Sequence, residues 1–114
     1  MTPDHIARTA PPSWHARMEA LHVEARRNTL IVRWASTLPR HMARYARACR
    51  IADALTGYYR DRWRSDALSS AMPADYAGTD LAWCWAVFRC GGRILTTYKS
   101  IDRILQDWTN TNPM

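Results

Sequence analysis

No apolar run in this chain is long enough to cross a membrane. The longest, LAWCWAVF at 81–88, falls well short of the roughly 18 to 20 residues a span needs. Cysteine is equally sparse. Cys49, Cys84 and Cys90 are an odd number without framework spacing, which argues against a disulfide scaffold and fits free thiols in a reducing compartment. The opening segment, MTPDHIARTAPPSW, has no charged stretch followed by an apolar one, so it does not read as a secretory signal. A cytoplasmic location without membrane contact is the expectation.

The chemistry of catalysis is also thin. No histidine follows His41, so a serine or cysteine nucleophile would have to find its base among His5, His15, His22 and His41 in the first third of the chain. No pairing of acids suggests general acid–base work. Only four glycines are present, and Gly91-Gly92 sits where a helix ends rather than starts, so no phosphate-cradling loop is formed. His41, Cys49, Cys84 and Cys90 lack the close pairs of a zinc site, and the six-residue step from Cys84 to Cys90 turns them about 240° apart on a helix. The chain is therefore expected to be no enzyme and to hold no cofactor or metal.

Charge is what the chain has in quantity. The net charge is +6, carried by fifteen arginines and the single Lys99. Between Arg26 and Arg64 lie ten arginines and only Asp53 and Asp61, a net of +8, which leaves −2 for the rest. Such asymmetry points to an anionic partner. Arginine's planar fork suits phosphate and carboxylate better than a lysine ammonium does. An Ala- and Arg-rich composition is also what a GC-rich genome writes. Six tryptophans and five tyrosines add side chains that dominate both cores and interfaces.

The periodicity predicts an all-α domain, an irregular bundle of about five helices over 13–109, with a loose arm at 1–12 and a frayed tail at 110–114. Ser13 is placed to cap a first helix bearing Trp14, Met18, Leu21 and Ala25 at helical spacing. Residues 28–34 carry β-branched side chains, yet Leu30 and Trp34 fit a continuing helix. Ser36, Thr37 and Pro39 predict a second helix from 38 to about 55, stopped by Gly57, with a third over 58–70. Thr79 or Asp80 starts a fourth, ended at Gly91-Gly92, and Ile94, Tyr98, Ile101, Leu105 and Trp108 form one stripe on a fifth. Of Trp83 and Trp85, which lie about 200° apart on that fourth helix, one is expected inside and the other exposed. The predicted core is Trp14, Met18, Leu21, Leu30, Trp34, Tyr45, Cys49, Leu55, Phe88, Ile94, Tyr98, Ile101 and Leu105.

At about 100° per residue, Arg40, Arg44 and Arg47 share one face of the second helix, with Arg50 on its flank and Met42, Tyr45 and Cys49 opposite. No acid balances them at i±4. Arg60, Arg62 and Arg64 surround Trp63 on the third helix. Two basic helices around Gly57 outline a helix-turn-helix-like hairpin at 38–69. The expected function is that of a small DNA-binding protein, a transcriptional regulator of bacterial or phage type. Arg40, Arg44, Arg47 and Arg50 would hold phosphates of double-stranded DNA, and Arg60, Arg62, Trp63 and Arg64 would meet bases or phosphates. A homodimer through the apolar 81–105 region is expected, because paired half-sites multiply specificity. The alternative is a small adaptor or inhibitor that lays the same arginine and aromatic face on an acidic protein surface.

Overall fold

The computed structural model describes residues 12–111. It holds four helices: α1 (Pro12–Thr37), α2 (Arg44–Tyr58), α3 (Asp80–Arg89) and α4 (Tyr98–Thr111). A π-helical turn, Tyr59–Trp63, and one further α-turn, Arg64–Asp66, prolong α2 without a break. A single 3₁₀ turn, Ala74–Tyr76, precedes α3. Among the described residues there is no strand, so residues 28–34 are helix. Pro12 already belongs to α1 and Thr111 to α4. The rest of the expected arm and tail lies outside the described residues.

Four helices replace the expected five because the boundary at Gly57 does not exist. Gly57 lies inside the helix with no positive φ, and α2 runs on to Asp66. A helical glycine costs about 1 kcal/mol relative to alanine, and the side chains just beyond it outweigh that. Tyr58 is buried, and its ring meets Phe88 edge-on at 5.1 Å. Trp63 packs on Phe88 at 5.2 Å. The helix-turn-helix-like hairpin is thus one continuous rod, and no second helix stands ready to enter a groove. A methyl group at residue 57 would meet nothing nearer than the Arg60 guanidinium at 3.8 Å. Gly57→Ala should therefore stabilise the protein by about 0.5 to 1 kcal/mol, read as a higher urea midpoint with an unchanged slope.

The second boundary also shifts. Ser36 and Thr37 do not cap the next helix. Their hydroxyls donate back to the Arg33 and Trp34 carbonyls, both at 2.6 Å, and end α1 instead. Leu38 to Ala43 form a turn, with Leu38 buried, and α2 starts at Arg44. Downstream, the bounds of α3 fall where the sequence places them. Thr79 Oγ1 accepts the Leu81 amide and caps α3, and Gly91 and Gly92 leave it at φ +81° and +77°. The following residues to Thr97 run without regular structure into α4, which starts at Tyr98 rather than 93.

The core lies where α2 packs on α4 and on the C-terminal half of α1. It contains Ile31, Trp34, Ile51, Leu55, Tyr58, Cys84, Phe88, Ile101 and Leu105. Trp34, Leu55, Phe88, Ile101 and Leu105 were predicted there; Leu30 and Cys49 are half-buried. Trp14, Met18 and Leu21 are exposed, because the first turns of the 26-residue α1 extend beyond the helices that could cover them. Tyr45 and Tyr98 are exposed too and pair edge-on with each other at 5.5 Å, joining α2 to α4 at the surface. Ile94 precedes α4 and is exposed. The apolar residues of 81–105 expected to form a dimer interface are largely spent inside the chain: Cys84, Val87, Phe88, Ile101 and Leu105 are buried in its own core.

Candidate partner-binding surface

The structure divides the predicted arginine set. Even Arg50 and Arg60 stand ten residues apart, about 15 Å of helix, and Arg44 and Arg47 line a different cleft from Arg60 and Arg64, so the two groups form no single patch. Arg44 Nε bonds Asp102 Oδ1 at 2.8 Å, and Arg50 reaches Asp80 at 3.5 Å. Arg47 is consumed by backbone. Its Nη1 donates to the Ala35 carbonyl, its Nη2 to those of Pro39 (2.9 Å) and Arg40 (3.3 Å), and its Nε to that of Met42 (3.0 Å). These carbonyls lie at the end of α1 and in the turn that follows; those of Ala35 and Pro39 also accept the Leu38 and Met42 amides, and those of Arg40 and Met42 take Arg47 alone, so Arg47 serves as a helix cap rather than a ligand contact. The Arg40 side chain is exposed and has no bonded partner among the described residues.

Of the second group, Arg60, Trp63 and Arg64 line one cleft, and Arg62 lies outside it. Arg60 grips Asp61 with two bonds, at 2.7 and 2.8 Å, and the pair holds the Asp61 carboxyl below its ordinary range. Arg62 lies over the Tyr76 ring, 5.6 Å from its centre, and donates to Tyr76 Oη at 3.3 Å. Trp63 is half-buried against Tyr58 and Phe88, with the Arg89 guanidinium above it at 5.8 Å. Arg64 is exposed and has no bonded partner among the described residues.

Beneath this group is a polar knot. The hydroxyls of Tyr58 and Tyr76, both buried, donate to the same Asp66 oxygen at 2.8 and 2.9 Å. Arg89 donates to the Asp66 carbonyl at 2.9 Å. The knot fixes the end of α2 against the 3₁₀ turn and α3, and so fixes the direction of Arg64, Ser65 and Leu68. The π-turn supplies the needed twist: one extra residue per turn brings Trp63 inward. Burial, then the bond to Asp66, raises the Tyr58 hydroxyl above its ordinary range.

Three clefts adjoin here. An open one of about 860 Å³ is lined by Tyr59, Arg60, Trp63, Arg64, Leu68 and Ile94, with Asp61 and Ser65. It shares Trp63 and Ile94 with a narrow cleft of about 120 Å³ beside Gly91 and Gly92. That cleft shares Arg27, Arg93 and Leu95 with a third, of about 450 Å³, which adds Glu24, Lys99 and Arg103. Leu68, in the lining of the open cleft, is 90% exposed. Tyr59 and Ile94 are exposed beside it.

No protein-family model matches the chain, and comparison with curated proteins and with solved structures finds no match. What the surface can do follows from its own chemistry.

Arg60, Trp63 and Arg64 are brought together as the sequence reading placed them. Tyr59, Leu68 and Ile94 were not singled out as site residues. Ile94 was assigned to the core by its helical spacing, and Leu68 is a lone apolar residue in a polar stretch, the one local sign of a surface anchor. Elsewhere the tryptophans settle differently from expectation. Trp83 and Trp85 are both half-buried; Trp83 stacks on Trp34 at 6.4 Å and Trp85 lies under Arg89 at 4.9 Å.

Among the described residues no group of three or more His, Cys, Asp or Glu is placed to hold a metal ion, and no helix is long and apolar enough to cross a membrane. Burial, with Asp80 nearby, pushes the Cys84 thiol up to about 12. Since the thiolate is the reactive form, a disulfide reagent at pH 8 should label at most Cys49 and Cys90 in the native protein, and all three cysteines in guanidinium. Mass-spectrometric mapping of the label would check this.

Proposed function

We propose that this protein is a small adaptor or inhibitor that binds an acidic, apolar-anchored segment of a protein partner in the open cleft at the end of α2. One observation carries the reading: exposed apolar side chains (Tyr59, Leu68, Ile94) and the arginines Arg60 and Arg64 line a single concavity. Tyr, Trp and Arg are the residues that carry binding energy at protein interfaces. Asp61, the one acid lining the cleft, is already gripped by Arg60. That pair occupies the Arg60 fork as well, so an incoming carboxylate meets Arg64, and an incoming aliphatic side chain meets Leu68 and Ile94.

Double-stranded DNA is the second reading. It is supported by the net +8 between Arg26 and Arg64, which would attract a phosphate backbone in a salt-dependent way. It has less support from geometry, because a recognition helix needs a protruding element and α2 is one rod with Arg47 committed to capping.

The test is a peptide-display selection on the immobilised protein, followed by fluorescence anisotropy with the selected peptide and with a mixed-sequence duplex across a salt series. Acidic peptides with a large apolar anchor should be enriched. Leu68→Glu should weaken them at least tenfold, while stability changes by no more than about 0.5 kcal/mol at so exposed a site. No acidic enrichment, together with duplex binding that falls steeply with salt, would overturn the adaptor reading in favour of DNA.

A further inference from the structure

The third cleft is chemically unlike the open one. Four cations, Arg27, Arg93, Lys99 and Arg103, line about 450 Å³ with Glu24 as their single acid. Sequence reading had no reason to group them, since Arg27 is remote in the chain from the others. Lys99 and Arg103 stand one turn apart on α4, a like-charge pair that destabilises a helix unless an anion sits between them. No bonded partner among the described residues neutralises Arg93, Lys99 or Arg103.

Arg27 gives the decisive observation. It is 6% exposed, the one buried charged residue among those described. Its fork is held rigidly by neutral acceptors: Asn28 Oδ1 at 3.2 and 3.0 Å and the Arg93 carbonyl at 3.1 Å. Its countercharge is Glu24 at 3.5 Å, and that carboxylate is itself exposed. A nearly buried charge is normally matched by a close, shielded partner. Here the partner is long and wet, and the cation is fixed in place beside three others. The bond to the Arg93 carbonyl also fastens the loop that carries Arg93. Gly92 pins it from the other side, since at φ +77° a side chain there would approach Val23 to 2.9 Å. The cleft is built before anything enters it.

We infer that this cleft is a binding site for a small phosphate-bearing ligand with at least two negative charges. The forks of Arg93 and Arg103 can bind phosphate oxygens in pairs; Arg27, its own fork engaged, adds fixed positive charge behind them; and the first turn of α4, which contributes Lys99 and Ser100, adds the positive end of a 14-residue helix. The site needs no partner segment in the open cleft and stands or falls separately from it.

The test is isothermal titration with sodium pyrophosphate, with sodium chloride at matched ionic strength as the control. The wild-type protein should bind pyrophosphate saturably, near one per chain, and gain thermal stability that chloride does not give. Lys99→Ala with Arg103→Ala, both exposed positions, should weaken binding at least tenfold while leaving the circular dichroism spectrum unchanged. Leu68→Glu should leave it unchanged. Stabilisation that follows ionic strength alone, or equal affinity in the folded double variant, would overturn the inference.

Discussion

Arg47→Ala should lower the unfolding free energy by about 2 to 4 kcal/mol, an unusual amount for one arginine at the protein surface. The lost guanidinium now satisfies four carbonyls, those of Ala35, Pro39, Arg40 and Met42. Without it the Arg40 and Met42 carbonyls lose their bonds, those of Ala35 and Pro39 keep only the Leu38 and Met42 amides, and the register between α1 and α2 loosens. Arg47→Lys should recover less than half of the loss, because a single ammonium cannot reach carbonyls spread across a fork. Arg44→Ala, which removes an exposed ion pair with Asp102, should cost at most about 1 kcal/mol. Urea unfolding of the three variants checks the ranking, and an Arg47→Ala protein within 0.5 kcal/mol of wild type would refute the capping role. There is a practical consequence. Loss of ligand binding on charge reversal at Arg44 and Arg47 together cannot be read as loss of a contact until folding has been measured.

Asp66→Ala should be comparably severe, about 2 to 5 kcal/mol, since it strands two buried hydroxyls that now share one carboxylate oxygen. The same knot gives the protein an alkaline limit. In the folded state the Tyr58 hydroxyl is raised above its ordinary value, by burial first and by Asp66 second. An unfolded chain releases that proton near pH 10; the folded one retains it. The stabilisation is complete below about pH 10 and is lost as pH rises above it, because the unfolded state then binds fewer protons. Tyr58→Phe should therefore be less stable at pH 7 yet show a shallower fall between pH 9 and 11. Parallel alkaline limbs for the two proteins would exclude Tyr58 as the group responsible. Both variants should also weaken peptide binding in the open cleft, as the knot holds Arg64 and Leu68 in position.

Much of the fold was legible because helix signals are local. Thr79 caps α3 and Gly91 ends it for reasons contained within four residues of chain. The continuation of α1 through residues 28–34 was readable from Leu30 and Trp34. The failures share a cause. Ser36, Thr37 and Gly57 carry genuine boundary chemistry, but hydroxyls can bond backward as well as forward, and a glycine yields to the burial of Tyr58 and Trp63. Trp14, Met18 and Leu21 have a core pattern with nothing above them, and periodicity cannot tell a buried stripe from an uncovered one.

The site divides in the same way. Charge sign, the shortage of acids between Arg26 and Arg64, and the pairing of arginine with Trp63 are properties of composition, and the sequence by itself determined them. Which arginines are available was decided only by tertiary structure. Arg47 faces the carbonyls of a helix that ended before it, Arg44 meets an aspartate far along the chain, and Arg27 joins Arg93, Lys99 and Arg103 across a turn pinned by Gly92. A guanidinium's role depends on which acceptor lies within about 3 Å, and for residues distant in sequence that distance is set by how the helices pack.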